Sequence, residues 1–137
     1  MNQAIFSSLN TLPSFGAYLV VSLLLTGIFV AAYIKVTPYK EFELIRQGNS
    51  AASISLSGSL IGFVVALASV IAHSVNLIDL TIWGGISLTV QLLAYVAVRR
   101  VIKEIDHGIQ NGIISHGILL GAVSLSFGIL NAACMTP

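Results

Sequence analysis

The residues of this chain best suited to chemistry lie between two apolar stretches: His73-Ser-Val-Asn76-Leu-Ile-Asp79, with Trp83 close behind. An imidazole and a carboxylate flanking a short turn can share a proton or hold a cation, and His73 with Asp79 is the natural pair. A second polar stretch, Asn131-Ala-Ala-Cys134-Met-Thr136, follows the last apolar segment on the same expected side. His73, Asn76, Asp79 and Asn131 therefore form a candidate ion, proton or ligand site near a membrane surface. The same residues also have a purely structural reading. Asp79 stands where an N-cap belongs, Trp83 suits the interfacial aromatic belt, and Asn131 can bond a neighbouring helix. Asp79 is the only acid outside two charged links.

Other polar groups point to structure more than to reaction. Gln91 falls in the middle of an apolar run, where an amide bridges helices by hydrogen bonding. His116 lies about one turn inside the last apolar segment, within reach of the interface. The sequence has no GxSxG elbow, no CxxC and no phosphate-cradling glycine loop, so no catalytic residues are assigned and a non-enzyme is expected. The three histidines are widely separated and Cys134 is the single cysteine, which argues against a metal centre or a disulfide framework. No cofactor is expected. Net charge is +1 without a basic tract, so nucleic acid is not an expected partner.

The elements that must position these residues follow from composition. Hydrophobic residues make up 56% of the chain and charged residues 8%, against about 25% charged in soluble domains. The solvent for most of the chain is therefore the lipid bilayer. Four apolar segments cover about 15–36, 50–73, 80–98 and 112–134, each of about 19 to 24 residues and long enough to span a hydrocarbon core. The fold class is an all-α membrane protein of four transmembrane helices in a single domain, 1–137. The stretch before Lys35 has no basic residue and its apolar run exceeds a signal h-region, so it is expected to be a retained first helix.

Charge orients the helices. Lys35, Lys40 and Arg46 fall at the link 37–49 or its edge, and Arg99, Arg100 and Lys103 at the link 99–111; the other side has no lysine or arginine. The positive-inside rule makes both links cytoplasmic and both termini periplasmic. Thr37-Pro38 stops the first helix. Glu41–Gln47 suits a short surface helix, with Phe42, Leu44 and Ile45 toward lipid and the charges toward water. At an offset of 64, Ile45, Gly48, Ile54, Leu56 and Phe63 meet Ile109, Gly112, Ile118, Leu120 and Phe127. Two like-oriented hairpins in a 2+2 repeat would produce that pattern. Ser55, Gly58, Gly62, Ala66 and Ser69 line one small-residue stripe, and Gly117, Gly121, Ser124 and Gly128 another. Both suit close helix packing, within one bundle or between the subunits of a homo-oligomer.

Taken together, Val36-Thr-Pro38, Glu43-Leu-Ile-Arg-Gln-Gly-Asn49, Ala68-Ser-Val-Ile-Ala-His-Ser74, Asp79 with Trp83-Gly84, and Asn131–Thr136 resemble the YjfL-like bacterial inner-membrane proteins, a domain of unknown function. The resemblance runs from about Phe15 to Thr136. Where that family has a second Gly-Asn motif, this chain has Gly112-Ile113, so the two sites are not expected to act symmetrically. The resemblance implies a multi-pass protein of the bacterial inner (cell) membrane. Relatives encoded near PspA-like envelope-stress proteins imply a cytoplasmic protein partner of that kind. It supplies no catalytic residue. The leading expectation is a non-enzymatic membrane component or docking partner in envelope maintenance. The alternative is a small oligomeric ion or proton channel or transporter with its polar site near the outer face.

Overall fold

A computed structural model describes residues 2–135, so Thr136 of the last motif lies outside the described residues. All regular structure among them is helical: α1 (Asn2–Asn10), α2 (Leu12–Val36), α3 (Glu41–Arg46), α4 (Ser50–His73), α5 (Leu77–Val101), α6 (Ile105–Gln110) and α7 (Ile114–Cys134). The α1–α2 run, α4, α5 and α7 are long and apolar enough to cross a membrane. At 1.5 Å per residue, the 21 to 25 residues of α2, α4, α5 and α7 extend about 32–38 Å. The fold is the expected four-span all-α class. Their outward faces carry Leu19, Leu23, Ile28, Ile61, Ile82, Leu93, Ile118 and Leu130, all exposed, which suits a lipid solvent.

Local chemistry sets the boundaries. Pro38 holds Thr37 extended (ψ 140°) and ends α2. The short helices α3 and α6 close identically. The Gly48 and Asn49 amides bond the Ile45 and Leu44 carbonyls, and the Gly112 and Ile113 amides bond those of Ile109 and Gly108. This Schellman closure needs a left-handed residue, supplied by Gly48 (φ 86°) and Gly112 (φ 75°). Asn49 then caps α4, accepting from the Ala52 amide at 3.1 Å. The third span starts at Leu77, a turn earlier than expected, because Asn76 is its cap: the Asn76 side chain accepts from the Asp79 amide at 2.8 Å. Asp79 reaches back to the Val75 amide at 3.1 Å, closing a near-reciprocal capping box. The N-cap role expected of Asp79 therefore belongs to Asn76. Another difference lies in the N-terminal tail, where α1 precedes α2 and Pro13 sits in the first turn of α2.

The elements repeat. Glu41–Arg46 recurs as Ile105–Gln110 and Gly48 as Gly112, each 64 residues on. After α1, the described residues thus run twice through helix, short helix, helix, as α2–α3–α4 and α5–α6–α7. Within the bundle, α4 is central and packs on α7, α5 and α2. Phe29 of α2 stacks on Phe63 of α4 with ring centroids 4.6 Å apart, and Tyr33 meets Tyr95 of α5 edge-on at 5.6 Å. Such pairs contribute about 1 kcal/mol each beyond buried area. They fix α2 against two neighbours at the end of the bundle that carries α3 and α6. That end is called the link end; the opposite one, at Ser74–Asn76, is the turn end.

Candidate functional site

At the turn end, the end of α4 and the start of α5 bring His73 and Asp79 to one cavity of about 240 Å³, shared with Trp83, Cys134 and Met135. His73 is exposed and its Nδ1 turns back on the Ser69 carbonyl at 2.8 Å. Asp79 is half-buried, with one carboxylate oxygen occupied by the Val75 amide. Neither of the other two predicted residues lines that cavity, although Asn76 meets Asp79 at a second shallow groove beside it. Asn76 is committed to its cap and lines a separate groove with Tyr18 and Leu77. Asn131 lies deeper on α7, half-buried, and its buried Nδ2 has no hydrogen-bond partner among the described residues. Of the four residues, His73 and Asp79 line the open cavity, Asn76 adjoins Asp79 outside it, and Asn131 stands apart.

The middle of the bundle is tightly closed. A Cβ on Gly58 would fall 2.6 Å from the Gly121 carbonyl carbon, and one on Gly62 equally near the Ser124 carbonyl oxygen. A Cβ on Gly117 would lie 2.6 Å from Ala51 Cα, and Gly128 meets the Gly62 backbone more closely still. Gly121 faces the Ile54 carbonyl. These five glycines let α4 and α7 approach backbone to backbone, as small residues do in lipid. The stripes that suited a homo-oligomer are therefore occupied within one chain. Gln91, on α5, donates from Nε2 to the Ser124 carbonyl at 2.8 Å and to the Ser59 carbonyl at 3.2 Å, tying three helices together.

A second polar cluster lies at the link end, where the sequence pattern points to no site. Glu41, the first residue of α3, is fully buried. This corrects the expectation that all α3 charges face water; Glu43 and Arg46 are exposed, and so is Phe42, as expected. The turn made by Thr37-Pro38 aims Glu41 inward, where Thr37 Oγ1 donates to its Oε1 at 2.7 Å. Its Oε2 has no partner among the described residues, nor have the buried hydroxyls of Tyr33 and Tyr39. Burial raises the Glu41 carboxyl from its ordinary 4.5 to about 7, the Thr37 hydroxyl partly opposing it. Burial also pushes the Tyr39 phenol above its usual range, and the neighbouring Tyr33 and Glu41 add to this. Asp106 of α6 completes the cluster, accepting from the Tyr95 hydroxyl and pairing with Arg99 Nε at 3.0 Å. The sequence holds one usable signal. The 64-residue offset sets Glu41 opposite Ile105, an apolar residue equally buried, so the position belongs to the core.

The two links also form one surface. Asn49 Nδ2 donates to the Ile109 carbonyl at 2.7 Å, bridging the first link to the second. Over that bridge lies a shallow groove of about 370 Å³, lined from both links by Tyr39, Glu43, Gln47, Gln110 and Asn111. All six basic residues are exposed at this end. Among the described residues, no group of three or more His, Cys, Asp or Glu side chains is placed to hold a metal ion.

Comparison with known proteins gives a consistent result. A family model described as Domain of Unknown Function (DUF350) matches residues 7–135. The UPF0719 inner membrane protein YjfL of Escherichia coli (strain K12) is 39% identical over 128 residues, 93% of this chain and 97% of its own length. The UPF0719 transmembrane protein YshE of Bacillus subtilis (strain 168) is 27% identical over 130 residues, 90% of this chain and 94% of its own length. No solved structure matches the chain.

Proposed function

The chain belongs to the DUF350 family, a domain of unknown function, and on that footing we propose that it is a non-enzymatic component of the bacterial inner membrane. Its link end faces the cytoplasm as a docking surface for a soluble protein partner of the envelope-stress kind, in the service of envelope maintenance. The observation that carries this reading is the groove built jointly by the two links and held by the Asn49 bridge. Idle connectors between spans have no need to be tied to each other. The closed α4–α7 backbone contact supports the same reading, because it leaves a packed interior where a wide conduit would need space. The six exposed basic residues at this end support the cytoplasmic assignment, and with it periplasmic termini.

The test has two arms. A photocrosslinker placed at Gln47 or Gln110 in living cells is expected to capture a cytoplasmic protein, and deletion of the gene to lower tolerance of envelope stress. No capture from either position, together with unchanged tolerance, would overturn the docking role. Orientation is checked separately with Cys134, the single cysteine, which is exposed at the turn end. A membrane-impermeant maleimide should label it from outside the inner membrane.

The shared His73–Asp79 cavity favours a second reading, a small ion or proton channel with its mouth at the turn end. Any oligomer it requires would use the apolar flank of α2, since the glycine faces are filled. Proteoliposome flux that is lost in Asp79→Asn would support this reading, and the absence of any leak across pH would remove it.

A further inference from the structure

We propose that Glu41 is a proton-binding site loaded from water at the link end, and that its proton holds the Thr37–Arg46 link against the bundle. Such a site needs no protein partner and is independent of the docking role.

The geometry supplies the reason. A carboxylate with no solvent exposure requires either a countercharge or neutralisation. The groups facing Glu41 from each packed element provide no countercharge. α2 contributes the Tyr33 phenol, and the link contributes the Thr37 hydroxyl and the Tyr39 phenol. α4 contributes only the Ser55 and Ser59 hydroxyls, which lie against Tyr33. Tyr95, Arg99 and Asp106 of α5 and α6 are engaged with one another: Asp106 accepts from the Tyr95 hydroxyl and pairs with Arg99 at 3.0 Å. Lys40, next in sequence, points into solvent with its side chain 86% exposed, toward Glu43. A proton is the remaining means of neutralisation. It would reside on Oε2, the oxygen without a partner, since Oε1 already accepts from Thr37. The buried phenols of Tyr33, with the Ser55 and Ser59 hydroxyls against it, and of Tyr39 then have a neutral carboxyl as their neighbour in place of an anion.

Burial raises the carboxyl to about 7, so the proton exchanges in the neutral range. The folded value lies above the ordinary 4.5, so the folded chain binds more protons than the unfolded chain between the two. Stability is therefore fully present below about 4.5, is lost as pH rises through about 7, and levels off above. Loss of the proton leaves an unpaired buried anion beside the Tyr33 and Tyr39 phenols, and the link at Thr37–Arg46 must open to hydrate it.

The experiment uses the purified full chain in lipid nanodiscs. Infrared titration of the wild type should show a protonated-carboxyl band that is in roughly tenfold excess at about pH 6 and roughly tenfold depleted at about pH 8. Glu41→Gln should remove that band and flatten the decline in melting temperature between the same two conditions. Thr37→Val, which removes the one hydroxyl that favours the carboxylate, should keep the band and move its midpoint upward; it serves as the independent check should Glu41→Gln fold poorly. A carboxyl band already lost by about pH 5, or one that persists in Glu41→Gln, would overturn the proposal. So would a melting temperature raised by sodium or potassium over choline at fixed pH, which would assign the site to a cation.

Discussion

Replacing Gly58 by alanine tests the closed interior directly. A Cβ there would sit 2.6 Å from the Gly121 carbonyl carbon, with the Gly121 Cα and carbonyl oxygen nearer still, and every atom it meets is backbone. Ordinary contact begins near 3.4 Å, so the two helix backbones must separate by at least about 0.8 Å, the difference between those distances. A gap of about 0.5–1 Å forfeits a quarter to a half of each dispersion contact, each worth about 0.1–0.2 kcal/mol. Spread over the tens of contacts along an α4–α7 interface, the loss is about 2 kcal/mol, within the usual range for overpacking. Alanine also favours helix over glycine by roughly 0.5–1 kcal/mol, which must be subtracted.

That second effect cancels against a control. Gly27 on α2 and Gly85 on α5 have nothing within 4 Å of where an added methyl would sit, so Gly27→Ala and Gly85→Ala carry the backbone gain without the clash. The separation between Gly58→Ala and these controls is then the steric cost alone, about 2 kcal/mol or close to thirtyfold in the unfolding equilibrium. Reversible unfolding in mixed micelles of rising dodecyl sulfate fraction, followed by fluorescence of Trp83, the single tryptophan, measures it. If Gly58→Ala unfolds together with Gly27→Ala, α4 and α7 do not meet through their backbones. The packed interior that favours docking over conduction would then lose its basis.

Three further outcomes use the same titration. Gln91→Leu should cost about 1 kcal/mol, because it removes the amide that donates to Ser59 and Ser124 while also removing a buried Oε1 that has no partner. Asn49→Ala should cost about 2 kcal/mol, since both the α4 cap and the bridge to Ile109 are lost, whereas Ile113→Asn should gain about 0.5–1 kcal/mol by capping α7, which now has no side-chain cap.

The spans were legible because lipid imposes length and apolarity on each helix, and the ends were less so because capping is decided by single hydrogen bonds. Asp79 and Asn76 are both good caps three residues apart, and composition cannot choose between them; the backbone turn at Ser74–Val75 does. The glycine stripes were legible as close-packing faces, but whether they face each other or another subunit depends on how the hairpins nest. At the turn end, His73 and Asp79 could be placed near one another because one short turn joins their helices. Asn131 comes from a different hairpin, and its depth along α7 is a tertiary property. Glu41 was hidden for another reason. In Glu41-Phe-Glu-Leu-Ile-Arg46 a charge beside other charges reads as a solvated face, and only the inward turn at Thr37-Pro38 reverses it.

The internal repeat says what kind of residue Glu41 is. The two short helices share length, closure and a left-handed glycine, so their backbones pose nearly the same packing problem. The second copy solves it with Ile105, fully buried and apolar; the first places a carboxyl at the equivalent point, also fully buried. An apolar side chain there is thus compatible with this backbone, and the carboxyl costs stability whenever it ionises. The same comparison holds in the opposite direction one residue on, where Phe42 is exposed and its counterpart Asp106 is buried against Tyr95 and Arg99. The polar groups of the link end therefore come from non-equivalent positions of equivalent helices.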